Sequence, residues 1–141
     1  MMDIVDALLK HHGEIRFLLQ KAGHEKQRFG GLRKNLEVHH RNEELYFLNH
    51  ILDKEEVGDA AAEAEEEHYV ISFMLAALEN FPHDHKRWAV KYEILEEFTE
   101  HHLKEEEEDI FRWVRKYLPR KDLEELGRDY EMVKKRQMEA L

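Results

Sequence analysis

The chain has 141 residues and no cysteine. One ordinary domain of that length buries a full core without staples, while disulfides, thiolate metal sites and thiol nucleophiles are excluded. A formal net charge of −10 argues against nucleic acid or an anionic membrane as the main partner.

No stretch approaches a membrane span, and the first ten residues carry Asp3 and Asp6 in place of the basic start and apolar run of a secretory signal. The expectation is a single domain over 1–141 in the cytoplasm. Prolines occur only at Pro82 and Pro119, glycines at six positions, and no run alternates in the manner of a strand. The reading is all-α. A first helix is expected over about 3–22, with the apolar stripe Val5, Leu8, Ile15, Leu19 and Ala22. A second is expected over about 32–52, after a break at Gly30 and Gly31, with Leu32, Leu36, Phe47 and Ile51. The third, over about 59–80, presents Ala61, Ala64, Ile71, Leu75 and Leu78. The fourth runs from an N-cap at Asp84 to Leu118 and presents Trp88, Tyr92, Leu95, Ile110, Trp113 and Tyr117. A shorter segment at about 120–138 is also helical. Short connections favour antiparallel neighbours, so an up-down-up-down antiparallel four-helix bundle over about 3–118 is predicted, with a short additional C-terminal helix. Phe17, Phe47, Phe73, Phe98 and Trp113 are expected in the core.

Each main stripe is interrupted near its middle by residues foreign to a core. His12 stands between Leu8 and Ile15, His39 and Glu43 between Leu36 and Phe47, His68 between Ala64 and Ile71, and His102 and Glu106 between Leu95 and Ile110. Buried charge must be paired or bound to metal. A His and a Glu at i and i+4 share one helical face, one turn apart, so both reach one centre. Imidazole with carboxylate suits iron, manganese or zinc, and two carboxylates able to bridge suit a pair of metals. The order is also twofold: a lone His, then HxxxE, then the same again. Eleven histidines in an acidic chain agree with a metal site. Paired histidines leave the register open at His11/His12, His39/His40 and His101/His102, with Glu44 and Glu105 as matching alternatives to Glu43 and Glu106. His24, His50, His83 and His85 read as surface residues, and the run Glu105–Glu108 as solvated face apart from Glu106.

The strings KHHGEI, HHRNEELYFL, EEHYVI and HHLKEEEEDIF resemble, in order and periodicity, the hemerythrin-like family, or HHE cation-binding domain, over about 3–118. That resemblance implies a non-haem di-iron centre, often oxo- or hydroxo-bridged, that meets dioxygen, nitric oxide or peroxide. It implies the ligands His12, His39, Glu43, His68, His102 and Glu106; zinc or manganese is compatible with the same donors. The oxygen-carrying members have HxxxH on the third helix and a His followed by a later Asp on the fourth. Here Ser72 stands four after His68, and the fourth helix has HxxxE. Reversible oxygen transport is thereby put in doubt in favour of sensing or of roles in oxidative and nitrosative stress. Iron storage, delivery or iron-centre repair is an alternative, although the repair proteins usually carry a cysteine-containing amino-terminal region. A ferritin-like di-iron oxidase is another, through Glu37–His40 and Glu65–His68, but the fourth helix lacks such a pair. Tyr69, beside His68, is a candidate for tuning the site. Catalytic turnover is left open.

Overall fold

The structure is a computed structural model that describes residues 2–139. It is all-helical: α1 Ile4–His24, α2 Phe29–Tyr46, α3 Gly58–Glu79, α4 Arg87–Glu105, α5 Phe111–Tyr117 and α6 Arg120–Glu139. Short 3₁₀ turns follow α1 and α2, and a single π-helical turn, Glu106–Ile110, joins α4 to α5. No strand occurs among the described residues.

The start of α1 is set by Asp3, whose carboxylate accepts the Asp6 N–H at 2.8 Å. Three boundaries differ from the sequence reading. The glycine pair does not break the chain before α2; Gly30 and Gly31 lie inside its first turn, where few backbone hydrogen bonds are at stake. The start is instead anchored by the fully buried Phe29, packed edge-on against Trp88 and Tyr92. The helix then ends at Tyr46, not Leu52, because Phe47 leaves helical geometry at φ −139°, ψ −69°. Phe47, Leu48 and Ile51 are buried all the same, carried by the turn that follows. Finally, Asp84 is not an N-cap. It lies in a turn closed by the His85 N–H on the Pro82 carbonyl, so α4 begins only at Arg87.

The π turn rotates the last part of the fourth helical segment. A π turn takes one residue more than an α turn, so each later residue shifts by one position on the helical face. Trp113 and Tyr117, expected on the core stripe, are half-buried and exposed, and Phe111 and Val114 take their places in the core. Two other aromatics also leave the core: Phe17 and Phe73 are exposed, each two residues past a buried isoleucine and so on the far side of its helix. Phe98 is half-buried.

The C-terminal helix is not short. α6 has 20 residues and lies against both α1 and α2, burying Leu123, Gly127, Tyr130 and Lys134 along one stripe. Gly127 is what permits the contact, because a Cβ there would stand 2.5 Å from the Met2 carbonyl oxygen and 2.5 Å from the Asp3 carbonyl carbon.

The apolar interior is split in two. One cluster gathers Leu8, Phe47, Leu48, Ala61, Ile110 and Phe111 with α6 residues Leu123 and Tyr130. The other gathers Ile15, Leu36, Ile71, Trp88, Tyr92 and Leu95. The interruptions noted in the sequence fall between them, so a buried polar layer separates two apolar ones.

Gly127→Ala is expected to destabilise the protein by about 1–3 kcal/mol, since the obstructing atoms are backbone and cannot turn aside. Thermal unfolding monitored by circular dichroism measures this; an unchanged midpoint would show that α6 is not seated on α1 in this way.

Candidate metal centre

The polar layer is built from one buried side chain each on α1 and α3 and from pairs on α2 and across the α4–π junction. His12, His39, Glu43, His68, His102 and Glu106 are all at most 3% exposed. Their inward atoms converge. Nε2 of His12 lies 3.2 Å from a Glu106 oxygen and 3.9 Å from a Glu43 oxygen. Nε2 of His39 lies 3.6 Å from Glu43, and Nε2 of His68 lies 3.0 Å from Glu43. Nε2 of His102 lies 3.7 Å from Glu106 and 3.1 Å from Nε2 of His68.

These donors form two overlapping groups, His12–His39–Glu43–Glu106 and Glu43–His68–His102–Glu106, and in each a ligand atom from every member lies within 4.8 Å of the others. Both carboxylates belong to both groups. The sequence alternatives separate cleanly. His101 is exposed and pairs with Glu105 at 3.1 Å, away from the centre. His11 is fully buried but turns to Tyr130, whose hydroxyl lies 2.7 Å from its Nδ1. His40 is buried and stacks on His68 with ring centroids 3.9 Å apart. Of the ferritin-type pairs, Glu37 is exposed and bound to Arg33.

The outward nitrogens are held by a further set of residues, among them Glu44, which the sequence offers as an alternative to Glu43, and Glu107, which it places on the solvated face. Nδ1 of His12 donates to Glu107 at 2.8 Å, Nδ1 of His68 to Glu44 at 2.7 Å and Nδ1 of His102 to Glu67 at 2.7 Å. Nδ1 of His39 is 3.0 Å from the Tyr130 hydroxyl; with His39 donating there, Tyr130 donates onward to His11. A proton fixed on each Nδ1 turns the Nε2 lone pair inward, the arrangement that ligating histidines use. Glu107 is further clamped by Arg16, with contacts of 2.8 and 3.0 Å, and Arg16 also holds Glu100. Glu44, Glu67 and Glu107 each sit next in sequence to a residue of the centre. That adjacency was the available signal, but charge runs hide it. Tyr130 carried none.

Tyr69 is 71% exposed, one position around α3 from His68, and so lies outside the centre. His24, His50 and His85 are on the surface, whereas His83 is half-buried against Phe29 and Trp88.

Electrostatics mark the centre as short of positive charge. Burial works against protonation of His12 and His68, yet the carboxylates of Glu106, Glu107 and Glu43 raise His12 well above the ordinary range, and those of Glu43 and Glu44 hold His68 at about 10. Burial keeps His39 and His40 neutral far below it. Burial opposes ionisation of both carboxyls. The histidines nevertheless keep Glu43 ionised, while the nearby Glu43 charge pushes Glu106 upward. Nε2 of His12 and His39 and all four oxygens of Glu43 and Glu106 are buried and make no aligned hydrogen bond. Orphaned buried atoms of this kind are costly, and cations satisfy all of them together. The donor set of imidazole and carboxylate therefore fits metal cations.

Comparison with curated proteins and with solved structures found no match. A model of the hemerythrin HHE cation-binding domain matches residues 3–114. With that match spanning most of its length and a buried His/Glu cluster in its middle, the chain belongs to the hemerythrin HHE cation-binding domain family.

Proposed function

We propose that this chain is a non-haem di-iron hemerythrin-like protein that binds or reacts with dioxygen, nitric oxide or peroxide, in sensing or in the response to oxidative or nitrosative stress. The observation that carries the reading is the pair of overlapping donor groups that share Glu43 and Glu106. His12 and His39 would hold one iron and His68 and His102 the other, with Glu43 and Glu106 within reach of both. The split of the apolar interior supports an up-down-up-down arrangement. Early residues of α1 and α3 and the turn after α2 belong to one apolar cluster, and late residues of α1 and α3 with early ones of α2 to the other.

Bound iron supplies redox and Lewis-acid chemistry. The protein's own residues do the rest. Glu107, Glu44 and Glu67 hold the Nδ1 protons and orient the rings, and the two apolar layers exclude bulk water. The route for a small ligand is the cleft between α2 and α3, about 560 Å³, where His40, His68 and Ser72 are reached from outside past Arg41 and Tyr69. Ser72 leaves that side of the centre open where the oxygen carriers of the family have an imidazole, which favours reaction over reversible transport.

Protein produced with ample iron should hold about two iron ions per chain and a visible absorption that changes on adding dioxygen, nitric oxide or peroxide. Fewer than about one metal per chain sinks the reading. Replacing His68 and His102 together by alanine should abolish binding, whereas His24→Ala and His50→Ala, both at exposed positions, should not alter it.

Metal binding should also expel protons. His68, held up at about 10, is a cation at pH 8 in the metal-free chain, His12 is shifted in the same direction by its carboxylates, and a ligating imidazole must give up its inward proton. Anaerobic titration with cobalt(II) at pH 8 in weak buffer should release about two protons per chain. Apparent affinity should fall as pH falls, by up to about a hundredfold per unit where both protons are displaced. Proton-free binding, read with a pH indicator, would show that His12 and His68 are neutral beforehand.

A further inference from the structure

The centre contains one imidazole more than the six residues already assigned. We propose that His40 is itself a metal ligand, joining His68 and His102 on the α3–α4 side of the centre; this rests on the two-metal reading above. The two subsites are then unequal, with two imidazoles on the His12–His39 side and three on the other.

Three observations carry it. His40 is 6% exposed, and its Nε2 is buried with no hydrogen-bond partner. A buried ring nitrogen is ordinarily paired, so this one is aimed at something other than protein. A ligand atom of His40 also lies within 4.8 Å of ligand atoms of both His68 and His102, forming a third all-histidine group that overlaps the second. Lastly, the ring is held in place: it lies parallel to His68 at 11°, and edge-on to His102 with centroids 5.6 Å apart.

The local fold explains why the residue reaches the centre at all. His39 and His40 are 100° apart on α2, so they face different sides of the same layer. His39 turns toward α1 and α6, where His12 and Tyr130 lie, and His40 toward α3 and α4. The small side chain of Ser72, one turn beyond His68, lines the same cleft as His40. α2 thus supplies a further imidazole to the cleft in which α3, one turn beyond His68, offers only the exposed Ser72. A third neutral ligand on one metal alone leaves the other with fewer protein donors.

The test compares wild type, His40→Phe and His101→Ala, loaded anaerobically with cobalt(II) and challenged with a chelator. Phenylalanine keeps a flat ring against His68 but has no ligand atom. Wild type and His101→Ala should retain two metals, while His40→Phe should lose one at least about tenfold more readily and show an altered cobalt d–d spectrum. Retention and spectrum equal to wild type would overturn the inference and leave the two-metal reading intact. A wild type that binds no metal would overturn both. Should His40→Phe not fold, the wild-type protein still decides. Its cobalt form should show exchangeable, hyperfine-shifted imidazole N–H signals from five histidines by proton NMR, and four would exclude His40.

Discussion

Two carboxylates, Glu43 and Glu106, face one another in the middle of an otherwise apolar bundle, and most of the architecture answers to them. Neither reaches water, and their mutual repulsion is unscreened there. The layer therefore requires positive charge. In the metal-free chain protons on His12 and His68 meet that demand; in the metal-bound protein cations do so more completely. The same deficit that raises those two imidazoles thus suits the centre to metal cations. The cost of assembling the layer is offset by the apolar clusters on both sides, which hold the helices in register whether or not the donors are satisfied.

Around the six inward residues runs a ring of outer partners, and it is unevenly made. Three histidines lean on carboxylates that reach solvent at their rims, so those protons can be exchanged with bulk water. The fourth, His39, leans on Tyr130, a buried phenol whose ionisation is strongly opposed by burial and by Glu43. A carboxylate partner makes an imidazole a stronger donor than a neutral hydroxyl does. His39 accordingly lacks the carboxylate support that the other three have. The difference follows from α6, which brings a tyrosine rather than a glutamate to the centre.

The buried polar layer was legible in the sequence because a polar residue at a core position cannot hide in an amphipathic pattern. His12, His39, His68 and His102 stand where leucines belong, and the spacing of four brings Glu43 and Glu106 onto the same faces. What escaped was of two kinds. Glu67 and Glu107 look like any solvated charge, and Glu44 looks like a rival to Glu43, since a carboxylate that turns back toward the protein and one that turns away are spelled alike. The π turn has no signature of its own, so the positions of Trp113 and Tyr117 were extrapolated from a helix that changes pitch before reaching them. Neither the end of α2 nor the role of Gly30 and Gly31 follows from local propensity; the packing of Phe29 and Phe47 decides both.

The match to the family model ends at residue 114, yet the chain does not finish building its interior until α6. Leu123 and Tyr130 belong to the same apolar cluster as Leu8 and Phe47, and Gly127 lets this last helix touch the backbone at which α1 begins. Cutting the chain where family similarity stops would uncover the sides of α1 and α2 and leave His11 and His39 without their phenol. The unit that similarity delimits and the unit that folds are of different lengths, and any minimal version of this domain has to be drawn at the longer boundary.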